Sequence, residues 1–206
     1  MPNQTLNKNQ SRTLETRKRL LEAAEEVFVR NGYEGAQLAE IASAAGRSKG
    51  ALYGHFETKE DLFLALFEYR SKQNIDRFAQ RIQGLANRRQ KMEAFRDFYA
   101  KLVDDRTWPI LMLEFKLYAH RHPESKERLR KAMSIAIPID NDEQFAYMYG
   151  RVSAKQRADI ELSVLALAPV LSGLILESSF EPERMSKKAL GRLLGKLFDA
   201  LFPMSS

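Results

Sequence analysis

The sequence contains no cysteine among its 206 residues. Disulfide bridges and thiolate metal sites are therefore excluded, and the absence fits a reducing compartment. Two of the three histidines lie in the segment HRHP at 120–123, without further ligands at metal spacing, so we expect no metal site and no cofactor. The sequence also lacks a nucleophile elbow, a phosphate-binding glycine-rich loop and a His-x-x-x-His pair. We therefore assign no catalytic residue and predict that the protein is not an enzyme.

Long hydrophobic runs are also scarce. The longest apolar stretch covers 162–176, is shorter than the roughly 20 residues that cross a bilayer, and contains Pro169. We interpret it as a buried helix and expect no membrane association. Residues 1–13 are polar and carry no apolar region typical of a secretory signal, so we expect a cytoplasmic protein.

Helical periodicity, in contrast, extends through nearly every long segment. Leu21, Ala24, Val27 and Phe28 recur at three- and four-residue steps and form one apolar stripe. Gly32 then predicts the end of this first helix, because glycine tolerates the left-handed conformation found there. The apolar fraction of 44% is sufficient for a packed core. Because no segment alternates polar and apolar residues between turn signals, we predict an all-α fold.

Several helix starts are also marked. Thr58-x-x-Asp61 and Ser153-x-x-Gln156 have the pattern of capping boxes. Pro109 and Pro123 are expected in the first turns of two further helices, where the missing N–H does no harm. We expect irregular structure in the first dozen residues and at 136–144.

The segment LAEIASAAGRSKGALYGHF, at 38–56, predicts two short helices joined by a tight turn. Gly46 supplies the turn that steeply crossing helices need, and Ser48 is placed to cap the second helix. This layout is typical of a helix-turn-helix, whose second helix enters the DNA major groove. The positions expected to face the core are Leu38, Ile41, Ala42, Ala45, Leu52 and Phe56.

The outward face of the second helix fits contact with DNA. Lys49 is a donor that reaches base edges or phosphates, and Gly50 and Ala51 are small enough for a close approach. Tyr53 and His55 can donate to phosphate oxygens. The formal net charge of +6 is compatible with a polyanionic partner, although many soluble proteins share such a charge. The alternative is that these side chains are ordinary, partly buried surface residues.

The residues at 23–66, AAEEVFVRNGYEGAQLAEIASAAGRSKGALYGHFETKEDLFLAL, closely resemble the DNA-binding domain of TetR-type transcriptional repressors. The resemblance implies a homodimer with an N-terminal three-helix bundle containing the helix-turn-helix, at 1–58 with a flexible arm at about 1–12. A larger helical domain for ligand binding and dimerisation would occupy 59–206. The partners implied are a palindromic double-stranded DNA operator and a small, largely apolar inducer that releases it.

The resemblance also assigns a DNA-binding surface. Lys49, Ala51 and Arg47 would face bases, whereas Tyr53, His55 and Lys59 would face phosphates. Three features depart from the common family pattern: Ala36-Gln37 replaces a threonine-rich entry, Arg47 replaces an aliphatic residue, and Ala51 offers only a methyl group. The full predicted surface is Gln37, Arg47, Ser48, Lys49, Gly50, Ala51, Tyr53, His55 and Lys59.

Two apolar segments near the C-terminus predict the dimer interface that the family requires. Gly191 and Gly195 are four residues apart and would allow another helix to approach closely. The alternative is that one stripe packs only on its own domain. The predicted interface residues are Leu162, Leu165, Ala166, Pro169, Val170, Gly173, Leu174, Leu190, Leu194, Leu197 and Leu201.

Aromatic and aliphatic side chains between 95 and 118 predict an inducer pocket, since sites for small organic ligands are largely apolar. The alternative is plain core, which would leave a DNA-binding protein whose C-terminal domain mediates only dimerisation or protein interaction. The predicted lining residues are Phe95, Tyr99, Trp108, Leu111, Met112, Phe115 and Tyr118.

Overall fold

The computed structural model describes residues 8–136 and 142–203, and these ranges contain ten α-helices, one 3-10 turn and no strand. The all-α prediction is thereby confirmed. The 3-10 turn is Leu102–Asp104. The helices are α1 (Lys8–Gly35), α2 (Leu38–Ala44), α3 (Lys49–Tyr53), α4 (Lys59–Ile82), α5 (Arg88–Lys101), α6 (Thr107–Arg121), α7 (Pro123–Ala136), α8 (Asp142–Tyr149), α9 (Ala154–Phe180) and α10 (Lys187–Leu201).

The first helix begins earlier than expected and is broken where expected. Residues 8–12, predicted to belong to a flexible arm, lie in the first turns of α1, so that prediction is wrong for them. Residues 1–7 lie outside the described residues. Gly32 has φ 71° and ψ 171°, a conformation that is essentially restricted to glycine, and it interrupts the helical backbone of α1. A short turn to Gly35 then leads into α2.

The predicted helix starts are confirmed. Thr58 Oγ1 accepts the backbone N–H of Asp61 at 3.0 Å, and Asp61 Oδ2 accepts that of Thr58 at 2.8 Å. Ser153 and Gln156 form the second capping box at the start of α9. The expectation of irregular structure at 142–144 is wrong, because these residues begin α8, and 137–141 lie outside the described residues.

The capping carboxylate of Asp61 makes the stability of α4 depend on pH. Burial alone would raise the pKa of Asp61, but hydrogen bonds from Thr58 and Arg128 outweigh it and hold the pKa below its usual value. Because the pKa is lower in the folded state, the ionised carboxylate stabilises the fold at neutral pH. This contribution is lost as the pH falls through about 4 towards the folded-state pKa.

Asp61→Ala is therefore expected to cost about 1–2 kcal/mol of unfolding free energy at pH 7, because a capping interaction and an ion pair are lost. The difference from the wild type should shrink below pH ~4. Urea denaturation between pH 7 and pH 3 measures it. Asp76→Ala on the same helix is the control, since Asp76 pairs only across 3.9 Å with exposed Lys72. A wild-type advantage over Asp61→Ala that is constant with pH would contradict the assignment.

The first hydrophobic core joins the helix-turn-helix to helices much later in the chain. It contains buried residues of α1, α2, α3, the first turns of α4, α6 and α7. Phe63 of α4 lies at its centre, with its ring centroid 5.2 Å from that of Phe28 and 4.1 Å from that of Phe115. The helix-turn-helix therefore shares one core with α6 and α7. The boundary between 58 and 59 stays a prediction.

The second core joins α5, α8, α9 and α10. The Tyr99 hydroxyl donates to the carbonyl oxygen of Leu167 at 2.8 Å, and burial raises the pKa of Tyr99. Arg96 of α5 donates two hydrogen bonds, of 2.6 and 2.9 Å, to the Asp199 carboxylate on α10. Gly195 makes room for this pair, because a Cβ there would lie 2.6 Å from Arg96 Nη2. Gly195 thus admits a side chain of its own subunit, and not a second helix as predicted.

Candidate nucleic-acid interface

The turn between α2 and α3 is a Schellman motif with Gly46 at its left-handed position. Gly46 has φ 62°, and its N–H donates to the carbonyl oxygen of Ser43 at 3.0 Å. The N–H of Arg47 donates to the carbonyl oxygen of Ala42 at 2.9 Å, which completes the motif. The expected inward residues are buried or half-buried in the first core. The predicted helix-turn-helix geometry is therefore present.

The outward residues of α3 are available to a ligand. Lys49 and Gly50 are exposed, the Tyr53 side chain is 45% exposed, and Ala51 and His55 are half-buried. Lys49 Nζ lies 5.8 Å from the Tyr53 ring centroid, so the cation and the phenol share one surface. In the described part of the chain no acidic side chain forms an ion pair with Lys49, and its charge is free to meet an external anion.

Gly50 has no structural reason to be glycine. Its φ is not positive, and an added Cβ would meet only Ser48 Oγ, at 3.9 Å. Glycine within a helix costs roughly 0.5–1 kcal/mol relative to alanine. The fold of the chain itself would therefore accept a Cβ at this position in the first turn of α3.

Gln37 and Ser48 occupy helix starts but act differently. Ser48 Oγ accepts the N–H of Ala51 at 3.1 Å and caps α3, as predicted. Gln37 occupies the N-cap position of α2 with extended backbone angles, and its exposed side chain makes no capping hydrogen bond. The side chain of Gln37 is therefore directed to solvent at the entry of the motif.

Lys59 has a structural partner that the sequence did not reveal. Its ammonium group donates to the carbonyl oxygens of Glu34 at 2.8 Å and Ala36 at 3.2 Å, and lies 5.1 Å from the Tyr33 ring centroid. Burial lowers the pKa of Lys59. Two of its three donors are thus used within the chain. One donor remains for the phosphate contact, which stays a prediction.

Two basic side chains of α1 are paired within the helix. Lys18 and Arg19 form ion pairs with Glu22 at 3.6 Å and Glu15 at 2.9 Å, in the i,i+4 pattern of a solvated helix face. Arg17 differs, because its guanidinium lies 5.4 Å from the ring centroid of Phe56, at the end of the helix-turn-helix. Arg17 therefore places a positive charge beside the end of the helix-turn-helix.

Comparison with known proteins identifies the fold around this surface. The family described as "Bacterial regulatory proteins, tetR family" matches residues 20–66, which include α2, α3 and the start of α4. This segment of the chain is similar to the DNA-binding domain of the TetR family. The HTH-type transcriptional repressor AcnR of Corynebacterium efficiens is 27% identical over 164 residues, which cover 78% of this chain and 80% of AcnR. The match to AcnR extends well beyond the helix-turn-helix.

Other relatives match over shorter stretches. The HTH-type transcriptional activator FasR of Mycolicibacterium smegmatis is 41% identical over 88 residues, covering 41% of this chain and 40% of FasR. The regulator CymR of Pseudomonas putida is 32% identical over 122 residues, and the chain spans 60% of its length. The structure of the fatty acid degradation regulator FadR from Bacillus halodurans superposes with a TM-score of 0.68 at 20% identity, covering 92% of this chain and 96% of that chain. The likeness to FadR concerns the fold.

The residues predicted to line an inducer pocket are divided between the two cores. Leu111, Met112 and Phe115 are buried in the first core, with Trp108 and Tyr118 packed against it. Phe95 and Tyr99 belong to the second core. The seven side chains are therefore packed into two different clusters of buried residues, and the pocket that they were expected to line stays a prediction. Helical spacing identifies the apolar face of each helix, but it does not tell which other helix packs against that face.

A surface cleft of about 600 Å³ lies elsewhere, between α5, the 3-10 turn and the start of α10. Asp97, Lys101, Asp104 and Lys187 are among its lining residues, and Lys187 Nζ lies 2.7 Å from Asp104 Oδ1. Five of the eight lining residues have charged side chains, and none is among the predicted pocket residues.

The predicted dimer residues differ in exposure: some are exposed, some are half-buried and two are buried. Leu190 and Leu194 are 1% and 0% exposed in the second core, so their assignment to an interface is wrong. Leu162 and Leu165 are 69% and 50% exposed. Ala166, Val170, Leu174, Leu197 and Leu201 are half-buried. The exposed residues recur at three- and four-residue steps along α9, and we call them the α9 stripe: Leu162, Leu165, Pro169, Gly173, Leu176 and Phe180.

The α9 stripe also explains a membrane-like signal. Within 8–136 and 142–203, α9 alone is long and apolar enough to cross a bilayer, and 28% of its most apolar window is buried. The interpretation of α9 as a buried helix therefore does not hold for the single chain. The same ranges hold no cluster of three or more His, Cys, Asp or Glu side chains arranged for a metal ion.

Proposed function

We propose that this protein is a ligand-responsive transcriptional regulator, in the first instance a repressor, that binds a palindromic operator as a homodimer. The observation that carries the proposal is the exposed, cationic first turn of α3, where Gly50 has no role in the fold of its own chain. The names of the relatives support it, since AcnR is a transcriptional repressor and FasR a transcriptional activator.

Each exposed residue of α3 has a distinct proposed role. Lys49 and Ala51 face base edges near the N-terminus of the helix, where recognition helices read sequence. Tyr53 and His55 donate to phosphate oxygens and set the orientation of the helix without reading sequence. Arg47 is half-buried and lies beside the Schellman turn, which places its guanidinium at the edge of the same surface.

The homodimer is supported by the α9 stripe. From residue 162 to residue 180 the stripe extends about 27 Å along the helix. An apolar stripe of this length without cover in its own subunit is typical of a protein–protein interface. A twofold partner pairing through α9 would cover the stripe and hold two copies of α3 at a fixed separation, as half-sites about 34–36 Å apart require.

The inducer belongs to the proposal in its coarsest form, a small and largely apolar molecule bound by the C-terminal helices. The divided arrangement of the predicted pocket residues favours a second candidate, in which these helices mediate only dimerisation or protein contact. Thermal unfolding with and without candidate apolar ligands separates the two. A ligand that binds only the folded state raises the midpoint, as a ligand-responsive regulator requires.

Gly50→Ala tests DNA binding directly. We expect the affinity for operator DNA to fall about tenfold or more, because the added methyl group obstructs a close contact. The thermal midpoint should stay unchanged or rise slightly, since alanine is the better helix former. Gel shifts on DNA upstream of the protein's own gene measure the affinity.

Gly191→Ala is the matched control, because Gly191 lies in a helix and no atom of its own subunit is within 4 Å of an added Cβ; sedimentation checks that this variant associates as the wild type does. It should bind DNA as the wild type does. Tyr53→Phe is expected to weaken binding to all sequences alike, whereas Lys49→Ala also alters sequence preference. Undiminished binding by Gly50→Ala, Tyr53→Phe and Lys49→Ala together would refute the assigned surface.

A further inference from the structure

The connector between α1 and α2 is held by a helix of the C-terminal part. The backbone N–H of Tyr33 donates to Glu114 Oε2 of α6 at 3.0 Å, across 81 residues of sequence. A Cβ on Gly32 would lie 2.7 Å from the same oxygen, so Gly32 leaves room for the carboxylate. The Tyr33 ring packs against Phe115 and Tyr118, also on α6, with centroid distances of 4.7 and 4.8 Å. The entrance to the helix-turn-helix is therefore fixed to α6.

The exit from the helix-turn-helix is held by α7. Arg128 Nη1 donates to Glu60 Oε1 at 2.7 Å, and its other terminal nitrogen binds Asp61. The Ser125 hydroxyl donates to Glu60 Oε2 at 2.5 Å, and Ser125 is buried. Glu60 and Asp61 form the first turn of α4, directly after the cap residue Thr58. Both carboxylates that follow the helix-turn-helix are thus bound by one helix of the C-terminal part.

The two attachments belong to one unit, because α6 and α7 are separated only by His122. The His122 ring stacks on Tyr118 with a centroid distance of 4.0 Å, which ties the junction to α6. A rigid-body displacement of the α6–α7 pair would therefore move both ends of the segment 36–58 together. Contacts through α4 alone would move only the second end.

We infer that Glu114 and Arg128 are positioning residues for operator binding, which orient the helix-turn-helix by fixing its two ends to the α6–α7 pair. The inference rests on the proposed function, since it explains how the C-terminal helices act on α3. Neither side chain touches DNA. Each acts through backbone or carboxylate groups that flank the motif, so its loss alters the orientation of α3 and leaves the DNA-contacting residues in place.

The test compares Glu114→Ala, Glu114→Gln and Arg128→Ala with the control Arg130→Ala. Arg130 also lies on α7, and within the described residues its ion pair is with exposed Glu127 on the same helix. Glu114→Gln keeps an oxygen that accepts the Tyr33 N–H. We expect Glu114→Ala and Arg128→Ala to lower operator affinity about tenfold. Glu114→Gln and Arg130→Ala should bind as the wild type does, and the affinity of all four for random DNA at low salt should stay within about twofold of it.

A second measurement reports orientation without DNA. Because the chain has no cysteine, Ser43→Cys on α2 and Glu93→Cys on α5 can be spin-labelled uniquely. Both positions are exposed, and dilution with excess unlabelled chain removes distances between subunits. We expect Glu114→Ala and Arg128→Ala to broaden or shift the distance distribution well below their melting temperatures. Loss of stability alone would lower the melting temperature and leave the distribution unchanged.

Wild-type distributions in Glu114→Ala and Arg128→Ala would overturn the inference, as would operator affinities equal to the wild type. If Glu114→Ala does not fold, Glu114→Asp replaces it, since the shorter side chain keeps the charge but falls short of Tyr33. Failure of the wild type to bind any operator would refute the proposed function instead, and the label distances would still decide whether the two residues orient the motif.

Discussion

Leu165→Glu is expected to yield a folded monomer whose operator affinity is about 100-fold or more below that of the wild type. Leu165 lies in the α9 stripe and is 50% exposed in the single chain, so a glutamate there would be solvated in the monomer and buried in the proposed dimer. Burial of an unpaired carboxylate in an apolar interface is costly. Two linked half-site contacts gain about 10²–10⁴ in avidity over one, and a monomer loses that gain.

Sedimentation and gel shifts measure the two effects on the same preparation. Leu117→Glu is the matched control, because Leu117 on α6 is 59% exposed and lies outside the α9 stripe. It should remain dimeric and bind operator normally. A dimeric Leu165→Glu with normal DNA binding would show that the subunits associate through another surface.

The second large effect concerns the register of α10. Leu194→Ala is expected to cost about 2–5 kcal/mol of unfolding free energy, because a fully buried leucine is replaced and a cavity remains. Leu193→Ala should change it by less than about 0.5 kcal/mol, since Leu193 is 38% exposed. Urea denaturation in the Leu165→Glu background measures the unfolding of the single chain without a contribution from subunit association.

Equal costs for the two substitutions would mean that α10 is rotated about its axis relative to the register described above. A large cost for Leu193→Ala alone would restore the predicted interface role of Leu194. The pair of variants therefore decides which stripe of α10 faces its own subunit.

Local features of the fold were predictable from sequence because they depend on neighbouring residues. The capping boxes at Thr58 and Ser153 join groups three residues apart, and their hydrogen bonds are present as expected. The Schellman turn at Gly46 depends on a left-handed backbone that glycine adopts freely. The outward face of α3 followed from the same local register.

The register of α10 could not be predicted because both of its candidate faces are apolar. Leucines at 190, 193, 194, 197 and 201 cover more than one stripe, so periodicity does not choose between them. Contact with α5 decides which face is buried: Arg96 of α5 binds Asp199 and lies against Gly195, both on α10. These groups are about a hundred residues apart in the chain, and no sequence pattern joins them.

The same limit explains the missed contacts around the helix-turn-helix. The Lys59 ammonium binds carbonyl oxygens, which leave no trace in the sequence because every residue carries one. The Glu114 carboxylate accepts a backbone N–H of α1, a group that nearly every residue carries. Both contacts depend on how the helices pack in three dimensions, which no local sequence pattern specifies.

The shared first core limits how this protein can be recombined with others. A chimera that exchanged residues 1–58 for those of a homologue would replace Phe28, whose ring packs on Phe63 across the junction, and Phe63 in turn stacks on Phe115. The transplanted helices would then pack against side chains of α4, α6 and α7 that do not fit them. Engineers who wish to retarget the protein should graft only the outward residues of α3, or carry the α6–α7 pair along with the donor segment.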